Sequence, residues 1–285
     1  MFERRLPRVL MLLTLPWHGP LYAGDRLAAT GGVTEIEGAA GGGITPWALI
    51  AGLGTDREVG ASAACTAVLP QGFELYSCGI GVGIENRLEL SAAKQRFDLG
   101  STAPGVSIHM STVGVKLRVF GDAVIDQDRW WPQVSVGLQW KNNQDLSFIP
   151  KALGARHPSG ADYYLAATKI VLDGPAGHSW LLNGTLRETE ANQLGLLGFG
   201  GDQGGYRLRA EGSVGVFLSD SLLLGGEYRQ KPNDLRIYRE DAFSDLFVAW
   251  FPWKYSSLTA AYADLGNIAN KPAQHGPYLS VQASW

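Results

Sequence analysis

The chain has 285 residues, enough for one large domain, with 37 glycines, 10% aromatic residues and a formal charge of −3 at pH 7. That balance, with no basic run, argues against a nucleic-acid partner. Beyond the first residues no stretch reaches the ~18 consecutive apolar residues that a membrane helix needs, and abundant glycine suits many short strands joined by turns.

Arg4, Arg5 and Arg8, then VLMLLTL (Val9 to Leu15), then breakers from Pro16 to Pro20 follow the order of an export signal. LYA places the expected cleavage after Ala23, although Leu21 is larger than the residue favoured there. Residues 1–23 are thus expected to be a signal peptide of a Gram-negative exported protein. Residues 24–58 follow as a Gly-rich segment. ATGGVTEIEGAAGGG (Ala29 to Gly43) is too glycine-rich for a regular element, whereas WALIAGLGT (Trp47 to Thr55) can read as a strand. The segment is expected either to plug a lumen or to add two strands to a wall.

Residues 59–285 alternate with period two, as strands do when their two faces meet different surroundings. Tyr206, Leu208, Ala210, Gly212, Val214, Val216 and Leu218 oppose Arg207, Arg209, Glu211, Ser213, Gly215 and Phe217. Strands are expected at 59–69, 73–84, 87–98, 107–120, 132–141, 161–172, 178–187, 206–217, 221–231, 243–252, 255–265 and 277–285. Strand 107–120 reads as changing parity near Ser111, which predicts a β-bulge. If Pro70 to Gly72 form the first turn, Cys65 and Cys78 face each other, and an exported chain invites their pairing; two buried free thiols are the alternative.

From residue 132 onward, long connections (142–160, 188–205, 232–242, 266–276) alternate with short ones (173–177, 218–220, 253–254). Outer-membrane barrels show this asymmetry; loop 121–131 breaks it. Tyr76, Trp140, Tyr164, Tyr206, Tyr228 and Tyr262 then fall near the long-loop ends of their strands, and Trp180, Trp250 and Trp285 near the other ends. All nine are read on the apolar parity, as two interfacial girdles. The last strand ends on Trp285 and resembles the signal read by the bacterial barrel-assembly machinery. The expected fold is all-β, a transmembrane antiparallel up-and-down β-barrel of about 12 strands, with about 14 as the alternative.

The polar parity is expected to line the lumen: Glu89, Lys116, Arg118, Lys141, Lys169, Arg187, Arg207, Arg209, Glu211, Glu227 and Arg229. Charges cannot face hydrocarbon cheaply. They serve either a solute path or a salt-bridge network that braces a narrow barrel. His109, His157, His178 and His275 lack metal-ligand spacing, and no metal or cofactor is expected. Asp122, Asp126 and Asp128 do not have EF-hand spacing, Gly195 to Gly205 reads as a loop, and Asn183-Gly184-Thr185 matches a glycosylation acceptor by pattern only.

His109 and Ser111 share a strand face and faintly resemble the His-x-Ser element of outer-membrane phospholipase. The match covers two residues, and Thr112 stands where that family has asparagine. Catalysis is not expected. GGVTEIEGAAGGGITPWALIAGLGT (Gly31 to Thr55), GLLGFGGD (Gly195 to Asp202) and LFVAWFP (Leu246 to Pro252) resemble a proteobacterial family of exported proteins known only as a domain of unknown function. The resemblance implies an outer-membrane location and supplies no functional residues. The expected role is a narrow pore for small polar solutes, embedded in outer-membrane lipid. Rival readings are an accessory envelope barrel without conductance, a membrane lipid hydrolase and a soluble secreted β-sandwich.

Overall fold

Alternating hydropathy becomes a wall with two faces. The computed structural model describes residues 26, 28–147, 149–237 and 239–285; the signal-peptide reading of residues 1–23 lies outside them. Inside the barrel a small hairpin is formed by β1 (Val33–Thr34) and β2 (Ala40–Gly41). The wall is β3 (Val59–Val68), β4 (Glu74–Ile84), β5 (Leu88–Asp98), β6 (Ser107–Phe120), β7 (Gln133–Asn143), β8 (Ser159–Val171), β9 (Ser179–Thr189), β10 (Arg207–Ser219), β11 (Leu222–Arg229), β12 (Phe243–Trp253), β13 (Ser256–Asp264) and β14 (His275–Ser284).

Each strand pairs antiparallel with its sequence neighbours, and β14 returns to β3 through Tyr278↔Val68 to Ser284↔Ser62. This is a closed barrel of twelve strands; the Gly-rich segment adds none to the wall. Closure pairs both would-be edges, which an open sheet would leave as templates for aggregation. β3 begins and β14 ends at the end of the barrel that carries the short turns (the turn end); the long connections cluster at the opposite, loop end, except 121–132, which lies at the turn end.

Outward rows are apolar and bare. Leu208 is 64% exposed, Leu246 72% and Leu279 53%. Moving one such side chain from water into an apolar medium is worth about 1.5–3 kcal/mol, and the belt repeats them on strand after strand. Tyr228, Tyr262, Trp140 and Tyr206 border it towards the loop end, and Trp180, Trp250 and Trp253 towards the turn end, all on outward positions.

Three expectations about facing are corrected. Strand β6 runs in unbroken register from Ser107 to Arg118, and its irregularity lies between Arg118 and Phe120, not at Ser111. Ile108 and Met110 face inward because an apolar cluster closes the loop end of the lumen, so the inward row is itself partly apolar there. Strand β8 has the opposite parity to that expected. Tyr164 turns into the barrel, where Gly137 across the ladder leaves its ring a bed and the Arg187 guanidinium lies 5.3 Å from the ring centre. Tyr163 takes the outward place. Lys169 consequently points out at the turn end, its amine 2.5 Å from the Asp126 carbonyl and 3.1 Å from that of Arg129. A one-residue slip in reading flips a whole strand.

Cys65 and Cys78 are direct cross-strand partners on the outer wall and form a disulfide.

A plugged lumen as the candidate functional site

Residues 31–54 are buried throughout, inside the barrel. A twelve-stranded barrel is wider than the eight-stranded kind that side chains alone can fill, so its axis must hold water or chain. Here it holds chain. The filling is layered. Ile36 and Ile44 of the plug join Phe73, Phe97, Met110, Leu194 and Phe199 in an apolar layer at the loop end. Val33, Trp47 and Leu49 join Leu181, Leu223, Phe247 and Phe251 in another at the turn end. Between them lies an ionic layer.

That layer is built on Glu35 and Glu37 of the plug. Glu37 is paired with Lys141, forms an ion pair with Arg229 Nη2 at 2.7 Å and lies 3.8 Å from Arg187. Glu35 accepts from Gln139 Nε2 at 2.6 Å. The wall cations are themselves clamped: Arg187 to Glu211 at 2.5 Å and to Asp162 at 3.1 Å, Lys141 to Asp162 at 2.6 Å, Arg229 to Glu211 at 3.4 Å. Three cations thus meet four carboxylates, all almost wholly buried. Each charge has an opposite charge near it, Glu35 the most loosely with Arg229 Nη1 at 4.0 Å, the condition under which charge tolerates loss of water.

The plug backbone is satisfied by wall side chains as well. Glu89 accepts from the amides of Ala40 (3.1 Å) and Ala51 (2.9 Å), while Lys116 donates to the carbonyls of Ala40 (2.7 Å) and Leu49 (2.9 Å) and pairs with Glu89 at 3.1 Å. Glu227 accepts from the amides of Gly43 (2.6 Å) and Ile44 (2.9 Å) and from the hydroxyl of Thr45 (2.6 Å). A Cβ at position 42 would overlap that carboxylate, which explains the glycine there. Ser135 donates to the Ala48 carbonyl (2.6 Å), Thr185 to that of Pro46 (2.8 Å), Arg229 to that of Ile44 (2.9 Å), and Trp47 Nε1 to Ser213 Oγ (2.9 Å). An irregular buried segment carries polar backbone groups that must be paired, and six wall strands supply the partners just named.

Two cavities beside the plug measure about 10 Å³ and about 20 Å³, each room for at most one water molecule. Over the loop end, residues 191–201 fold inward and are buried; Asn143 Nδ2 holds them through the carbonyls of Gly195 (3.1 Å) and Leu196 (2.8 Å).

Of the residues read as lumen-lining, Glu89, Lys116, Lys141, Arg187, Glu211, Glu227 and Arg229 meet the plug or its ionic layer. Arg118 sits at the turn end with Asp122 (3.1 Å) and Asp56 (3.0 Å). Arg207 and Arg209 stand at the loop-end mouth, Arg207 bonded to Asp234 at 2.9 Å. Glu35, Glu37, Asp162 and Gln139 were not singled out by sequence. VTEIEG does alternate Glu35 and Glu37 with apolar neighbours, a trace of the pattern that located the wall cations. Asn183 is buried and donates to the Pro46 carbonyl at 3.4 Å.

His109 and Ser111 face outward. His109 Nδ1 lies 2.9 Å from Asp145, and Ser111 Oγ accepts from Gln144 Nε2 at 2.9 Å. Among the described residues no hydrogen bond joins His109 to Ser111, the contact that would activate a nucleophile.

The mouth carries a titratable pair outside the wall strands. Burial pushes the Glu240 carboxyl up to about 7 from its ordinary 4.5, against the pull of Lys231, and burial brings Lys231 down to about 8. Glu240 accepts from the Gln193 amide at 3.1 Å and Lys231 donates to the Gln193 side chain at 3.1 Å, so both hold the inward-folded loop. A carboxyl raised in the folded state binds more protons there than in the unfolded chain. Between about pH 4.5 and 7 its contribution therefore falls as pH rises. Stability against urea is expected to decline over that window, and Glu240→Gln is expected to flatten the slope. An unchanged slope in the variant would dismiss Glu240 as its source.

Residues 30–282 match the family profile described as "Protein of unknown function (DUF3034)". No curated protein matches the chain. Among solved structures, the Acinetobacter baumannii outer membrane protein Omp33 is similar with a TM-score of 0.40 at 8% identity, covering 81% of this chain and 99% of that one. The translocator domain of the autotransporter NalP from Neisseria meningitidis follows at 0.33 and 10%, covering 80% and 86%. A triple mutant of the Rhodopseudomonas blastica porin follows at 0.25 and 8%, covering 80% and 99%.

Proposed function

We infer that this chain, which belongs to the DUF3034 family, is an outer-membrane barrel held shut at rest by its own N-terminal segment. Passage of a small polar solute requires that segment to leave. The observation that carries the reading is the burial of residues 31–54 inside the wall, bonded to it from all sides. Withdrawing the segment takes both Glu35 and Glu37 out of the layer and leaves Lys141, Arg187 and Arg229 with only Asp162 and Glu211. Breaking one buried ion pair costs about 3–5 kcal/mol, which keeps the open fraction near or below about one in a hundred. A passive, always-open pore does not fit that arithmetic. A partner or a ligand must supply the difference, and an accessory barrel that never conducts is the second reading, favoured by the same bonding.

The membrane half of the proposal rests on the bare apolar belt and its aromatic borders, which only hydrocarbon accommodates. The short turns, the start of β3 and the end of β14 then face the periplasm, and most of the long loops face the cell surface. Insertion would proceed through the C-terminal strand that ends at Trp285, by way of the barrel-assembly machinery. Spin labels at Leu208, Val214 and Leu224 are expected to report lipid-dissolved oxygen and to be shielded from a water-soluble nickel chelate. The reverse accessibility would remove the barrel from the membrane.

A further inference from the structure

The outward rows of β5, β6 and β7 change character along one line of the ladder. Towards the turn end they are apolar: Leu90 and Ala92, then Val113 and Val115, then Val136 and Trp140. Ala92, Val113 and Trp140 are direct neighbours in register. The next outward position on each strand gives Lys94, Ser111 and Asn142, again direct neighbours. One step further stand Arg96 and His109, with Gln144 beside them, its amide bonded to the His109 carbonyl at 2.9 Å.

A lysine on the lipid face costs about 2–4 kcal/mol at mid-bilayer and about 0–1 kcal/mol near the interface. The row that begins at Lys94 therefore marks the level of the headgroups, on the side of the long loops. Among the described residues of the wall strands, the outward-facing lysines and arginines are Lys94, Arg96 and Lys169. Lys169 is committed to loop carbonyls at the other end. Arg96 is bonded to Asp98 at 2.8 Å, and His109 is paired with Asp145 at 2.9 Å. Among the described residues Lys94 has no such partner: its ladder neighbours are Cys78, held in the disulfide, and Ser111. The nearby carboxylates are already engaged, Asp98 by Arg96 and Ser107, Asp145 by His109, and Glu74 by the Tyr76 hydroxyl at 2.8 Å. Ser111 accepts its hydrogen bond from Gln144, so its own proton is free to be donated.

We propose that Lys94, with the Ser111 hydroxyl and the Gln144 side-chain amide beside it, binds the phosphate of an outer-leaflet lipid headgroup whose acyl chains lie along Ala92, Val113 and Trp140. The Lys94 ammonium, the Ser111 hydroxyl proton and the second Nε2 proton of Gln144 offer three donors to one small patch, and phosphate oxygens accept from all three. The apolar row directly below takes the chains. This site rests on the outer-membrane reading given above.

The test uses the full chain in detergent, with lipid retention read by native mass spectrometry. The probes are bisphosphorylated lipid A, the same lipid stripped of its phosphates, and inorganic phosphate as competitor. The phosphorylated lipid is expected to be held at least about tenfold more tightly than the stripped one, the value of one charge-assisted hydrogen bond. Lys94→Gln is expected to erase most of that preference, and Lys169→Gln to leave it intact. Equal retention by Lys94→Gln and the parent overturns the site. Displacement of the lipid by millimolar inorganic phosphate overturns the lipid assignment in favour of a free-phosphate site. A chain that inserts into vesicles but shows no preference refutes this site alone; one that does not insert refutes the membrane reading as well.

Discussion

Deleting residues 31–53 is expected to convert a silent barrel into a conducting one. In planar bilayers the full chain should give no current steps at moderate voltage, and the deletion variant, with a short Gly-Ser bridge into β3, should give discrete ones. The wall closes through its own ladder from β14 to β3 without help from the plug, so the barrel does not need the segment for its hydrogen-bond closure. What the segment fills is the width left over by twelve strands. Its removal exposes Lys116, Lys141, Arg187 and Arg229 together with Glu89, Glu211 and Glu227 to water, a polar lining a hydrated channel can carry. Heat-modifiable migration on gels would establish that the variant is folded. A folded variant that stays silent would mean that the wall and the inward loop 191–201 close the lumen unaided. Steps from the full chain would mean that the plug is no seal. Glu35→Gln with Glu37→Gln keeps the plug and weakens its hold, and should give brief openings between these extremes.

The wall was legible because period-two alternation is a direct image of a two-faced strand. Leu208, Val214 and Leu224 read as outward and are outward; Arg187, Glu211 and Arg229 read as inward and are inward. The pattern failed where one face is not uniform. In β8, DYYLAATKI offers adjacent tyrosines and adjacent alanines, so neither parity is clearly the greasier, and only Gly137 on the neighbouring strand decides which tyrosine turns in. In β6, Ile108 and Met110 are inward and apolar because an apolar layer caps the lumen. That layer is made by loops whose folding no local period announces.

The ionic layer was half legible. Lys141, Arg187, Glu211 and Arg229 follow from parity, but Asp162 lies on the strand whose parity was misread, and Glu35 and Glu37 come from a segment with only a trace of alternation and one hairpin of two-residue strands. Glu35 and Glu37 lie in a glycine-rich run whose conformation is dictated by what surrounds it: carboxylates that bind its amides and hydroxyls that bind its carbonyls. Such a segment is specified by the barrel, not by its own propensity. Composition could say that it was irregular, and only tertiary contacts could say that it was inside.

Arg187 is the residue on which that arrangement most depends, and its replacement should be the most damaging single change. Its guanidinium touches Glu211, Asp162 and the Gln139 side chain (2.7 Å) and stacks on Tyr164. Arg187→Met preserves much of the apolar volume but leaves two cations against four carboxylates in a buried layer. Removing one partner from a buried ion pair costs about 3–5 kcal/mol, because the remaining charge is neither paired nor hydrated. The urea midpoint in detergent should fall accordingly, and the folded band should be lost at lower temperature. Adding Glu211→Gln to Arg187→Met deletes one of the surplus negative charges and should recover part of the loss. A loss below about 1 kcal/mol, within the range of exposed ion pairs, would mean that water reaches the layer and that the lumen is not dry. Arg187→Lys separates charge from geometry: a lysine keeps the positive charge but cannot serve Glu211 and Asp162 with one rigid fork. An intermediate loss there, with Arg187→Met the larger, is the ordering expected if the plug is held by paired charges in a low dielectric.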